Sequence, residues 1–174
     1  MDLVDVTTTI RTLLEVFAES DIFDRLKAIL AEYSVMNRGD WSKYAFFNDG
    51  HYVRNLIDGD DRFELMVICW GPGQKSRVHD HEKSRCVFTV LQGRIDESFY
   101  DFDLKHQRDD VLEEGHVSHV ENSQLHSVGN STSTPSVTLH LYFPPIKRVK
   151  LFDLETKEVT ERTPGFYSVK GHRV

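Results

Sequence analysis

The stretch 73-GQKSRVHDHEKSRCVFTVLQG-93 decides how this chain is read. His79 and His81 flank a single residue, and Cys86 follows five positions later. Side chains on an extended strand alternate between faces, so the two imidazoles would point the same way. Two neutral imidazoles on one face make half of a metal site. Taken alone, a His-x-His pair fits a polar loop equally well. The rest of the sequence has to separate the two.

Bulk properties narrow the choices. The 174 residues are expected to form one domain, 1–174, with a sizeable core. A hydrophobic share of 39% and a charged share of 28% belong to a soluble globular protein. A formal charge of -7, with no long run of Lys and Arg, argues against nucleic acid or an anionic membrane as partner. No apolar run approaches the roughly 20 residues that span a bilayer. The opening MDLVDVTTTI lacks the basic start and apolar block of a signal peptide. A reducing, cytoplasmic location is expected, where Cys69 and Cys86 stay out of disulfides. Cys69 lies in the continuous apolar run 63-FELMVICW-70, which reads as a buried strand, and is expected to be an inert core thiol. Cys86 has polar sequence neighbours and needs another explanation.

Residues 1–43 read as mainly helical. In 20-SDIFDRLKAILAEY-33, Ser20 is a plausible N-cap, and Ile22, Leu26, Ile29 and Tyr33 recur at helical spacing. The segment 8-TTIRTLLEVFAES-20 reads as a shorter amphipathic helix. Both helices are expected to cover a sheet. From residue 44 onward, short β runs alternate with turn signals: 51–57, 63–70, 86–93, 94–102, 117–122, 125–129 and 136–143, then a hairpin over 149–162. Many short strands at even spacing predict an all-β core, a sandwich or jelly-roll barrel.

A second pattern follows the first at the right distance. Gly115 precedes Glu121 by six residues, His126 comes five later, and Asn130 four after that. Together with Gly73, His79, His81, Cys86 and Gly93, this resembles the paired motifs of the cupin family. In the first motif Cys86 stands where a glutamate is usual; in the second, Glu121 and Ser123 replace the usual proline and glycine. The resemblance implies a jelly-roll β-barrel and makes His126 the third ligand beside His79 and His81. Three imidazoles with open coordination positions suit Fe(II), Zn(II) or another divalent first-row metal. Losing the carboxylate leaves the metal more positive and better able to attract a thiolate. His106, His116, His119 and His172 lack such framing and read as solvated surface residues.

Within the cupins the chain is similar to the cysteine dioxygenases from about Tyr44 to about Asp153. The match is closest in 52-YVRNLID-58, in 69-CWGPG-73 with 79-HDHEKSRCVFTVLQG-93, and in 138-TLHLYFPP-145. That resemblance implies Fe(II) on His79, His81 and His126, and Arg54 holding the substrate carboxylate with Tyr52 and Tyr142 assisting. Cys86 and Tyr142 match a pair joined by a thioether in the animal-type branch. His140 matches a histidine beside the tyrosine hydroxyl, and Phe143-Pro144-Pro145 stands where the family has a cis X-Pro bond. By parity alone, Val137, Leu139, Leu141 and Phe143 share one face, and Thr138, His140 and Tyr142 the other. That second face could lie in water or line a pocket; the resemblance favours the pocket.

The implied activity takes L-cysteine and dioxygen to cysteine sulfinic acid, within cysteine catabolism and taurine biosynthesis, and the enzyme is expected to act as a monomer. Relatives that prefer 3-mercaptopropionate tend to carry glutamine at the position of Arg54, and bacterial relatives commonly lack the crosslinking cysteine. Other readings are the same chemistry on another small thiol, a non-catalytic metal-binding cupin, and a zinc cupin isomerase. The last would normally keep a carboxylate at position 86.

Overall fold

Among the described residues of the computed structural model, two helices, α1 (Leu3–Val16) and α2 (Glu19–Met36), and a 3-10 turn over Asp40–Tyr44 precede thirteen strands. These are β1 (Val53–Gly59), β2 (Glu64–Trp70), β3 (Val78–His79), β4 (Arg85–Gln92), β5 (Arg94–Tyr100), β6 (His106–Glu113) and β7 (Val117–Val120). They continue with β8 (Leu125–Gly129), β9 (Ser136–Phe143), β10 (Val149–Phe152), β11 (Val159–Arg162), β12 (Ser168–Val169) and β13 (His172–Arg173). The structure describes residues 1–16, 19–36, 39–120 and 124–174. Glu121 and Ser123, where the second motif departs from the usual pattern, lie outside them. α2 begins at Glu19, so Ser20 falls within its first turn rather than ahead of it.

The strands form a seven-stranded sheet, β13-β12-β1-β2-β9-β4-β7, and a six-stranded sheet, β11-β10-β3-β8-β5-β6. The expected jelly roll is therefore two facing sheets rather than one closed ring of hydrogen bonds. The larger sheet is buried on both sides, which explains its continuous apolar runs. On one side Leu65, Val67, Val87, Leu91, Leu139 and Leu141 pack with Val6, Ile10, Ile22, Leu26 and Leu30 of the helices. On the other, Met66, Ile68, Trp70, Phe88 and Tyr142 meet Ile95, Phe99 and Val128 of the smaller sheet. Strand parity divides each of β2, β4 and β9 between these two cores. The face carrying Thr138, His140 and Tyr142 thus points between the sheets, as a pocket requires.

Cys69 is buried in the helix-side core, and burial pushes its thiol up to about 12, so it stays protonated. The hairpin expected over 149–162 is present as the β10–β11 pair. β6 carries no sequence signal for a strand. Its residues HQRDDVLE are mostly exposed at the sheet edge, where charged side chains also discourage pairing with other chains. Gly93 links β4 to β5, where the chain passes from one sheet to the other, at φ 78°, and a Cβ there would stand 2.6 Å from Ser136 Oγ. Only glycine meets both demands. The Phe143–Pro144 peptide is cis, as expected. Among the described residues no helix is long and apolar enough to cross a membrane.

Candidate metal centre

β3 is only two residues long, yet it fixes the first imidazole. His79 lies opposite His126 of β8 on one side and opposite Leu151 of β10 on the other. Asp80, between the histidines, points elsewhere: its carboxylate accepts the Lys150 amide at 2.9 Å, and its own N–H donates to Lys150 O. These bonds tie the His-Asp-His turn to β10 and leave both imidazoles facing the space between the sheets. The His81 Nε2 lies 3.3 Å from His79 Nε2 and 3.0 Å from His126 Nε2. The ligand atoms of all three residues fall within 4.8 Å of one another.

The tautomers follow from the outer partners. His79 Nδ1 donates to Arg77 O at 2.9 Å, and His126 Nδ1 donates to Glu97 Oε1 at 2.7 Å. Each bond leaves an Nε2 lone pair turned to the common centre. Burial, aided by neighbouring His126, pulls His79 down to about 3. Burial likewise takes His81 well below the ordinary histidine range. Both rings are therefore neutral donors at neutral pH, and the convergent Nε2 atoms suit a divalent first-row ion.

A pocket opens beside this cluster, lined by Tyr52, Arg54, His79, His126, His140 and Tyr142 together with apolar groups including Ile68, Trp70 and Ile146. Arg54 is held on several sides. Its Nε donates to Met66 Sδ at 3.3 Å and its Nη2 to Glu64 Oε2 at 3.2 Å. Its guanidinium lies 5.1 Å from the Phe166 ring centre and 5.9 Å from that of Tyr142. Nη1 is buried and, among the described residues, has no partner. A buried unpaired donor is costly, so an acidic ligand is the natural complement. Tyr52 stacks on Trp70 with ring centres 4.6 Å apart, and burial raises its hydroxyl pKa.

Comparisons with known proteins show the family. A family model described as Cysteine dioxygenase type I matches residues 3–155. The chain belongs to the cysteine dioxygenase type I family. It is 36% identical to cysteine dioxygenase type 1 of Rattus norvegicus, over 94% of this chain and 86% of that protein. It is 35% identical to the Danio rerio protein of the same description, over 94% and 87%. For the fold, it is similar to an uncharacterized Klebsiella pneumoniae protein with a double-stranded β-helix domain, at a TM-score of 0.53 and 16% identity, over 71% of this chain and 94% of that one.

Every cysteine dioxygenase residue singled out from the sequence is found in or beside this pocket. Cys86 of β4 is the cross-strand partner of Tyr142 of β9, and its thiol and the tyrosine hydroxyl both approach His140 Nδ1, at 3.7 and 3.2 Å. Its polar sequence neighbours are misleading: the side chain is fully buried, and burial raises its pKa well above the usual thiol range. Trp70 Nε1 donates to Thr138 Oγ1 at 2.9 Å, Thr138 Oγ1 meets His140 Nε2 at 2.9 Å, and His140 Nδ1 meets Tyr142 Oη at 3.2 Å. His140 also stacks on Phe88, with ring centres 4.6 Å apart. The remaining framed-out histidines stay away from the site. His106, His116, His119 and His172 are exposed, and His119 packs edge-on against Phe23.

Two acidic residues were not anticipated. Glu97 is fully buried on β5, where Oε1 accepts from His126 and Oε2 from Ser118 Oγ at 2.6 Å. Its one sequence signal is parity, since it shares the inward face with Ile95 and Phe99. Glu64, the partner of Arg54, is the other. Glu97→Gln is expected to weaken metal binding by about 10–100-fold, the usual effect of losing a ligand's outer partner. Competition with a chelator measures this, and an unchanged affinity would refute the orienting role of Glu97.

Proposed function

We propose that this chain is an Fe(II)-dependent cysteine dioxygenase, adding both atoms of dioxygen to the thiol of L-cysteine to give cysteine sulfinic acid. One observation carries the reading. The space between the sheets holds three convergent imidazoles and, facing them from the larger sheet, a guanidinium nitrogen that is buried and, among the described residues, has no partner. Fe(II) held by His79, His81 and His126 supplies the one-electron chemistry through which dioxygen and a thiol can react, and it favours the thiolate.

The protein's own groups do the rest. Arg54 Nη1 donates to the substrate carboxylate, which fixes the distance from the carboxylate to the metal centre. Tyr52, kept protonated by burial and braced on Trp70, is a second donor at that end. Thr138 accepts from Trp70, and its proton goes to His140 Nε2 at 2.9 Å rather than Ile68 O at 3.4 Å. His140 Nδ1 then carries the ring proton and donates to the Tyr142 oxygen. The Tyr142 O–H is left free to donate into the pocket. Loss of one hydrogen each from the Cys86 thiol and the Tyr142 ring, with the electron pair taken by dioxygen, would join sulfur to ring carbon. That thioether would hold the phenol in place and remove a competing thiol. Two free buried cysteines suit a reducing cytoplasm.

The deciding experiment is dioxygen uptake by the Fe(II)-loaded protein with L-cysteine or 3-mercaptopropionate, with products identified by mass spectrometry. Uptake with cysteine sulfinate as product is expected. Uptake with 3-mercaptopropionate alone would keep the iron site and overturn the substrate, while none with either would overturn the enzyme reading. The crosslink has its own check. After turnover, intact mass should fall short of the sequence mass by a pair of hydrogen atoms, and Cys86→Ser should abolish the deficit. A full sequence mass after turnover would strike the thioether from this proposal.

A further inference from the structure

Glu64 takes no part in the metal centre and does not line the pocket, yet it is linked to two residues that do. Its Oε2 accepts from Arg54 Nη2 at 3.2 Å, and its carboxylate faces the backbone N–H of Ile146. Both partners of the ion pair are largely withdrawn from water, with side-chain exposures of 12% for Arg54 and 14% for Glu64. Glu64 starts β2, paired with Tyr142 of β9, while Arg54 lies on β1. The carboxylate therefore joins three pieces of the pocket wall: β1, β2 and the segment leaving β9.

Resting on the cysteine dioxygenase reading above, we propose that Glu64 is a positioning residue that fixes the Arg54 guanidinium so that Nη1 alone is presented to the substrate carboxylate. Arginine has five N–H donors and a long flexible stem. With Nε on Met66 Sδ and Nη2 on Glu64, its other nitrogens are committed and rotation about the stem is blocked. The conformational cost of aligning the arginine is then met before substrate arrives, the usual route by which preorganisation raises affinity. A carboxylate so placed has an opposing effect, since its negative charge repels the substrate carboxylate. The two effects predict opposite outcomes for conservative replacements. If position and reach dominate, Glu64→Gln, which keeps an acceptor oxygen at the same distance, preserves binding, while Glu64→Asp, which keeps the charge but falls short, loses it. If charge dominates, Gln tightens binding and Asp leaves it unchanged.

The experiment is anaerobic titration of the Fe(II)-loaded protein with L-cysteine, run beside dioxygen uptake and thermal melting. The expected result is an increase in Kd of about tenfold for Glu64→Asp and less than about threefold for Glu64→Gln. Adding Glu64→Asp to Arg54→Gln should weaken binding no further, because the residue acts through the arginine. Tighter binding in Glu64→Gln, equal losses in both variants, or an additive double variant would overturn the proposal. So would a wild-type protein that fails to bind L-cysteine. Tight wild-type binding without dioxygen uptake would instead sink the dioxygenase reading and leave the role of Glu64 standing.

Discussion

His126→Ala is expected to cost more than about 10³-fold in dioxygen uptake, beyond the 10–100-fold assigned to an outer partner. Two losses coincide at this position. One of three convergent imidazole nitrogens disappears, leaving His79 and His81 as a pair too weak to retain a first-row ion against dilution. Glu97 also loses the donor to Oε1 and keeps only the Ser118 hydroxyl, in a site with no exposure to water. A buried carboxylate stripped of its main donor is destabilising by several kcal/mol at most. Metal content by elemental analysis should therefore fall along with activity. The double variant carrying Glu97→Gln as well should recover part of the lost stability without recovering activity. A variant with stoichiometric metal and wild-type uptake would show that the centre lies elsewhere.

The second large effect is expected at the opposite side of the pocket. Arg54→Gln should reduce kcat/KM for L-cysteine by about 10²-fold, in line with the roughly 1.5–3 kcal/mol carried by a hydrogen bond to a charged group. Most of that loss should appear as a higher KM, because the arginine holds the substrate without touching the sulfur. Metal content should not change, since Arg54 ligates nothing. Cysteamine, which has no carboxylate, provides the internal control: any turnover of it should be the same in wild type and variant. Equal losses for both thiols would mean that the arginine supports the fold of the pocket wall rather than recognising the carboxylate.

The features legible in the sequence are those that depend on local parity or spacing. The apolar run 63–70 reads as a buried strand, and β2 is one. The alternation in 137–143 was ambiguous between solvent and pocket, and only the second sheet across from it resolves the choice. The three histidines could be named because motif spacing survives in a linear chain. Glu97 and Glu64 could not be named in the same way. A lone glutamate in a strand is ordinarily a solvated charge, and what makes these two different is a partner distant in sequence: His126 for Glu97, and Arg54 with Ile146 for Glu64. β6 escaped notice for the opposite reason, because an exposed edge strand has no apolar face to betray it.

The split of β9 between two cores also bears on how such a protein can change over time. Leu139 and Leu141 answer to the helical layer, whereas Thr138, His140 and Tyr142 answer to the pocket. Because neighbouring positions face opposite ways, mutational drift in the helices is compensated on one set of residues and drift in substrate preference on the other. The helical layer and the chemistry can accordingly evolve on separate tracks, within eight consecutive residues of a single strand.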